Sequence, residues 1–130
     1  GPTLNNKAIR VSKTRELMQG LLSTGFPYDI KTSRLTNLDH WANFAMNAQA
    51  LRRDGAAALD LCYVACGRFD GFWELNLSPW DTAAGALVVA EAGGRLSDFS
   101  GGEFSNYERE IVASNGLIHD RMIEVLNGEN

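Results

Sequence analysis

Helical and strand periodicities interleave along the whole chain, and this alternation restricts the available folds more than any other feature. From Ser33 to Arg53 the apolar residues Leu35, Leu38, Trp41, Ala42, Ala45, Ala48 and Leu51 recur at helical spacing, with Thr32 or Ser33 able to cap. Asp54-Gly55 breaks that pattern, and Ala56 to Cys66 reads as a second, more evenly apolar helix buried on most sides and ended by Gly67. Asp81 to Ala92 predicts a third helix closed by Gly93-Gly94, and Leu117 to Leu126 a last amphipathic one. Strand patterns fall between them, over Lys7–Ser12, Leu21 to the Gly25 and Pro27 stop, Phe69–Leu77 with Glu74 near its end, Arg95–Phe99 and Glu110–Ala113. Thr14 is a further N-cap candidate ahead of Leu17. The alternation predicts an α/β layered sandwich, a mixed β-sheet covered by α-helices.

The 130 residues, 45% hydrophobic and 22% charged, suffice for one compact domain spanning 1–130. The formal net charge is -4 and the Lys and Arg are scattered, which argues against a nucleic-acid partner. Cys62 and Cys66, four apart in an apolar helix, read as core residues in a reducing cytoplasm, not as a disulfide or zinc set. The apolar stretch Ala83 to Ala92 is interrupted by Gly85 and Glu91 and falls short of the ~20 residues that span a bilayer, so no membrane association is expected.

The strongest chemical signal is Trp80-Asp81-Thr82-Ala83-Ala84-Gly85 followed by Glu91-Ala92-Gly93-Gly94. It places a carboxylate in the first turn of a helix whose next residues are small. Such a carboxylate can ligate a hard cation while the helix N-terminus attracts a phosphate oxygen, but from spacing alone the simpler reading is an N-cap. Glu74 reads either as an exposed strand-end carboxylate or as a group converging with Asp81 across the Ser78-Pro79 turn. Arg52 reads as a helix-end cation, Asp60 and Asp70 as solvated or turn residues, and His40 and His119 as residues without a catalytic role.

The Trp80–Gly85 and Glu91–Gly94 runs together resemble the second signature of the inositol monophosphatase family. The resemblance extends to Leu22–Tyr28, to Arg52-x-x-Gly55-Ala56-Ala57-Ala58-Leu59, to Gly67–Glu74 and to Ala113-Ser114-Asn115-Gly116. It implies the carboxyl-terminal half of that family's fold. It also implies that Asp81 matches a magnesium ligand that helps orient substrate, and that Glu74 matches the acid accepting a substrate hydroxyl. Gly55 and Ala57 match positions whose backbone lies along the substrate. Ala56 departs from the family's usual Ser or Thr, so a hydroxyl contact there is not expected.

The family's Asp-Pro-x-Asp-Gly-Thr-type motif is not found in this sequence, whose Asp-Gly pairs are Asp54-Gly55 and Asp70-Gly71. The resemblance therefore implies a split or truncated protein, an incomplete Mg2+ site and no catalytic residue assignable within these residues. The expected whole is a magnesium-dependent phosphatase acting on inositol phosphate, fructose bisphosphate or a phosphoadenosine-type ester. The expected partners are that small phosphorylated substrate, the missing amino-terminal half and a second copy meeting an exposed apolar face. The alternative is a non-catalytic, self-associating half-domain.

Overall fold

The computed structural model describes residues 3–4, 7–25, 37–53, 56–75, 79–105 and 110–129. Two short strands, β1 (Thr3–Leu4) and β2 (Lys7–Ala8), pair antiparallel at the start. The main sheet contains β3 (Leu21–Thr24), β4 (Ala50–Arg52), β5 (Gly71–Leu75), β6 (Arg95–Ser97) and β7 (Glu110–Ser114) in the order β4-β3-β5-β7-β6. The β3–β4 and β3–β5 pairs are parallel, and β5–β7 and β6–β7 are antiparallel. The helices are α1 (Leu38–Ala45), α2 (Ala57–Ala65), α3 (Pro79–Glu91) and α4 (His119–Leu126).

The sheet is buried on both sides, so alternate residues of one strand enter different cores. Leu22, Trp73 and Val112 pack with Phe44 of α1 and with Met122 and Val125 of α4. On the other side Phe72, Ile111 and Ala113 pack with Leu61 and Val64 of α2 and Val89 of α3. The mixed sheet between two helical layers is the sandwich expected from the alternating pattern. Helices α2 and α3 approach closely because Gly85 faces Leu61: a methyl group on Gly85 would stand 2.8 Å from Leu61 Cβ. Gly67 ends α2 at φ +84, the left-handed conformation that glycine adopts without a Cβ penalty.

Several expectations are corrected. The helix read over Ser33–Arg53 is confined to Leu38–Ala45, and residues 50–52 form edge strand β4. The Asn47 side-chain amide donates to Asn43 O (2.8 Å), and Gln49 and Ala50 donate backbone N–H groups to Gly20 O at 3.0 and 3.2 Å, which turns the chain back onto the sheet. Arg52 is thus an exposed strand residue, not a helix-end cation. The capping candidates Thr32 and Ser33 and the Asp54-Gly55 break lie outside the described residues.

The strand read over Lys7–Ser12 is only Lys7–Ala8, because Val11 N donates to Ala92 O instead of to a neighbouring strand. Thr14 does not cap the 3-10 turn Leu17–Gln19, whose preceding residue is Glu16; its carbonyl accepts Asn115 Nδ2 at 2.7 Å. Pro79 belongs to the first turn of α3, where its missing N–H costs nothing. Helix α2 is buried on one side only: Asp60, Leu61, Val64 and Ala65 face inward, while Leu59 and Cys62 are exposed and Cys66 is half-buried, so the cysteines are free thiols at the surface and not core residues.

Asp60 and Asp70 are buried and not solvated. Asp70 accepts the Leu21 backbone N–H (2.8 Å) and the Ser12 hydroxyl, tying the segment before β3 to the start of β5. No helix of the described residues is long and apolar enough to cross a membrane.

Candidate functional site

Because β4 and β5 both run parallel to β3, the carboxyl ends of these three strands lie along one edge of the sheet. The chain leaves β4 at Arg52 and enters α2 at Ala57, and it leaves β5 at Leu75 and enters α3 at Pro79. The N-termini of α2 and α3 therefore follow the same strand ends, the crevice where open α/β sheets bind ligands. Ala57 begins α2, half-buried, and Asp81 falls in the first turn of α3. Glu74 stands on β5 one residue before the strand ends. The topology thus brings three of the four candidate positions to one edge. Gly55 and the Asp81 side chain lie outside the described residues.

At that edge the Glu74 carboxylate lies against the backbone of Gly25, the residue after β3: a methyl group on Gly25 would overlap Glu74 Oε1 and come within 2.9 Å of Cδ. Beneath this contact lies a buried polar network. Trp73 Nε1–H donates to Asn37 Oδ1 (2.7 Å), Asn37 Nδ2 donates to Thr24 Oγ1 (2.7 Å) and Gly25 O (2.9 Å), and the Thr24 hydroxyl donates to Trp73 O (2.5 Å). Sequence reasoning missed Asn37 because its partners are 12 and 36 residues away. The signal that could have found them was Trp73 itself, since an indole N–H on a two-sided buried strand requires an acceptor.

The positive ends of α2 and α3 and their first-turn backbone N–H groups favour an anion at this edge. Among the described residues no three His, Cys, Asp or Glu side chains approach closely enough to hold a metal ion. Ser23, buried on β3 one residue before Thr24, has a hydroxyl oxygen without a hydrogen-bond partner among the described residues.

His119 lies away from this edge, fully buried on α4, with Nδ1 2.7 Å from Ser114 Oγ and Nε2 2.7 Å from Ser97 Oγ. Ser97 donates its hydroxyl to Asp98 O (2.7 Å), so it accepts from Nε2–H, and Nδ1 accepts from Ser114, whose oxygen also receives Gly116 N–H (2.9 Å). The ring is a neutral clamp between β6, β7 and α4. Burial first, and then Arg95, lowers its pKa to about 4, with Asp120 opposing. His40 is half-buried edge-on to Phe99, and burial lowers its pKa too.

The sequence matches the inositol monophosphatase family over residues 1–129. It is 42% identical over 124 residues to the Phosphatase IMPL1, chloroplastic, of Arabidopsis thaliana, covering 95% of this chain and 33% of the plant protein. It is 43% identical over 129 residues to the Nus factor SuhB of Escherichia coli (strain K12), covering 99% of this chain and 48% of that protein. The fold superposes on an inositol monophosphatase from Anabaena (Nostoc) sp. PCC 7120 with a TM-score of 0.91 and 41% identity, over 95% of this chain and 49% of that one. The chain thus spans between a third and a half of the length of these relatives.

Proposed function

The chain belongs to the inositol monophosphatase family, and on that premise we propose that it is the carboxyl-terminal half of a magnesium-dependent phosphomonoesterase acting on inositol phosphate or a similar small phosphate ester. The observation that carries this reading is the gathering of Ala57, Glu74 and Asp81 at the carboxyl edge of parallel strands, where two helix N-termini follow. In this reading Glu74 accepts a hydrogen bond from a substrate hydroxyl, and the backbone at Gly55 and Ala57 lines the substrate. The N-terminal turn of α3 attracts the phosphate, and Asp81 contributes one carboxylate to the metal and to substrate orientation.

Magnesium requires several oxygen ligands at once and supplies an activated water when bound. The described residues do not by themselves fit a complete site. Residues beyond this sequence, an amino-terminal half, complete it, and the isolated 130-residue chain hydrolyses no ester. The acidic balance without a basic run supports a small phosphorylated partner over nucleic acid, and a cytoplasmic location belongs to the same proposal. Exposed Leu59 on α2 and Leu87 on α3, two helices that pack together, support association with that half or with a second copy. Relatives of this chain are named Nus factor SuhB, and a second reading is a non-catalytic half-domain that acts by association.

Phosphate release from an inositol monophosphate, measured with magnesium on this chain alone, after adding an amino-terminal half of the family, and with Asp81→Asn, tests the proposal. Turnover only on complementation, abolished by the substitution, is expected. Turnover by the chain alone would show that the metal site is misplaced, and none in either mixture would favour the second reading.

A further inference from the structure

We infer that Gly25 and Asn37 are positioning residues that fix the Glu74 carboxylate at the carboxyl edge of the sheet, an inference resting on the proposed use of Glu74 to meet a substrate hydroxyl. A glutamate at a strand end has three rotatable side-chain bonds, and a group that reads a hydroxyl must be held within a fraction of an ångström. Here the restraint comes from below. The space that a Cβ on Gly25 would fill is taken by Glu74 Oε1, with Cδ at 2.9 Å and Cγ at 3.6 Å, so the carboxyl group rests on bare backbone.

That backbone is itself held. Asn37 Nδ2 binds the Gly25 carbonyl at 2.9 Å and the Thr24 hydroxyl at 2.7 Å, while Asn37 Oδ1 takes the Trp73 indole N–H at 2.7 Å. The Thr24 hydroxyl then binds the Trp73 carbonyl at 2.5 Å. Thr24, Asn37 and Trp73 are all fully buried, and Phe44 packs over the Trp73 ring at 4.2 Å. The Asn37 amide has one orientation only, since turning it over would set its oxygen against the Gly25 carbonyl and its NH2 against the indole N–H. The network therefore grips β3 at Thr24-Gly25 and β5 at Trp73, the residues that flank the Gly25–Glu74 contact. A satisfied buried network of this kind is rigid, and it transmits that rigidity to the one carboxylate resting on it.

The test follows the carboxylate and not turnover, by NMR of this chain labelled with 13C at the glutamate carboxyl carbons, the Glu74 line being identified by its loss in Glu74→Gln. Gly25→Ala is expected to displace the Glu74 line and its titration midpoint, and Glu74→Asp, one methylene shorter, is expected to restore the thermal stability that Gly25→Ala loses. Asn37→Asp keeps an acceptor for Trp73 but loses both donors, and is expected to displace or split the same line. Val89→Ala lowers stability from the core on the other face of the sheet, away from Trp73, and should leave the line where it is. A Glu74 line unmoved in both folded variants, or moved equally by Val89→Ala, overturns the inference. Should Gly25→Ala not fold, Asn37→Asp decides alone. Normal hydrolysis of inositol phosphate by a complemented Glu74→Gln chain would remove the hydroxyl-reading role while leaving the positioning result intact.

Discussion

Replacing His119 by Gln should flatten the acid limb of the stability profile. In the folded chain the neutral ring donates from Nε2 to Ser97 and accepts at Nδ1 from Ser114, and burial holds its pKa at about 4 against an ordinary 6.5. Protonation would turn Nδ1 from acceptor to donor, leave the Ser114 hydroxyl proton without its acceptor, and place a charge in the core beside Arg95, which the exposed Asp120 offsets in part. A folded-state pKa below the unfolded one means that the unfolded chain binds the proton more readily, so stability is complete above pH 6.5 and is lost as pH falls toward 4. At ~1.4 kcal/mol per pH unit of difference the full loss is about 3 kcal/mol, of which about 2 kcal/mol has gone by pH 5. Urea unfolding at pH 7, 6 and 5 measures this directly. The native chain should lose about 2 kcal/mol more than His119→Gln between pH 7 and 5. His40, whose pKa burial also lowers, is present in both proteins and cancels in the difference. Parallel profiles for the two chains would refute the reasoning, because the buried clamp would then not be what resists the proton.

Gly85→Ala sets a helix-propensity gain of up to ~1 kcal/mol against overlap with Leu61 Cβ and Cδ1, both 2.8 Å from the added methyl. A Cβ cannot swing aside, so a net loss of about 1–2 kcal/mol is expected in chemical denaturation. Asn115→Ala removes donors to Ser12 Oγ (3.0 Å) and Thr14 O (2.7 Å) and the acceptor for Leu117 N and Ile118 N (2.9 and 3.2 Å). Leaving these groups unpaired should cost about 2–3 kcal/mol by the same measurement and speed amide exchange at residues 117 and 118.

Elements whose pattern is local were legible in the sequence. Helices α2, α3 and α4 lie within a few residues of their apolar registers, and Gly67 marks the end of α2. Edge strand β4 was hidden because Ala48 and Leu51 continue the helical register of α1, and only pairing with β3, opposite Leu22, decides the matter. Tertiary pairing overrode local periodicity there. The burial of Asp60, Asp70 and His119 was invisible for a related reason, since a polar side chain in a core is recognised by its partners, and those of Asp70 and His119 lie as far as 58 and 22 residues away. At the candidate site, the family resemblance picked out Glu74 and Asp81, and strand direction explains why a strand end and a helix start meet. The Asn37 network beneath Glu74 shows only in the folded chain.

Asn115 has a consequence for how the molecule is made. Its side chain reaches back 103 residues to Ser12 and 101 to Thr14, and its backbone N–H reaches Asp70 O, which joins the last strand to a segment synthesised long before. Closing a loop of that size costs more chain entropy than the neighbouring β5–β7 pairing, and it must be met before the contacts return anything. On the ribosome Ser12 and Thr14 leave 103 and 101 residues ahead of Asn115, and although Asp70 can take the Ser12 hydroxyl sooner, the Thr14 carbonyl waits for Asn115. A segment made long before its partner is thus among the last to be fully fastened.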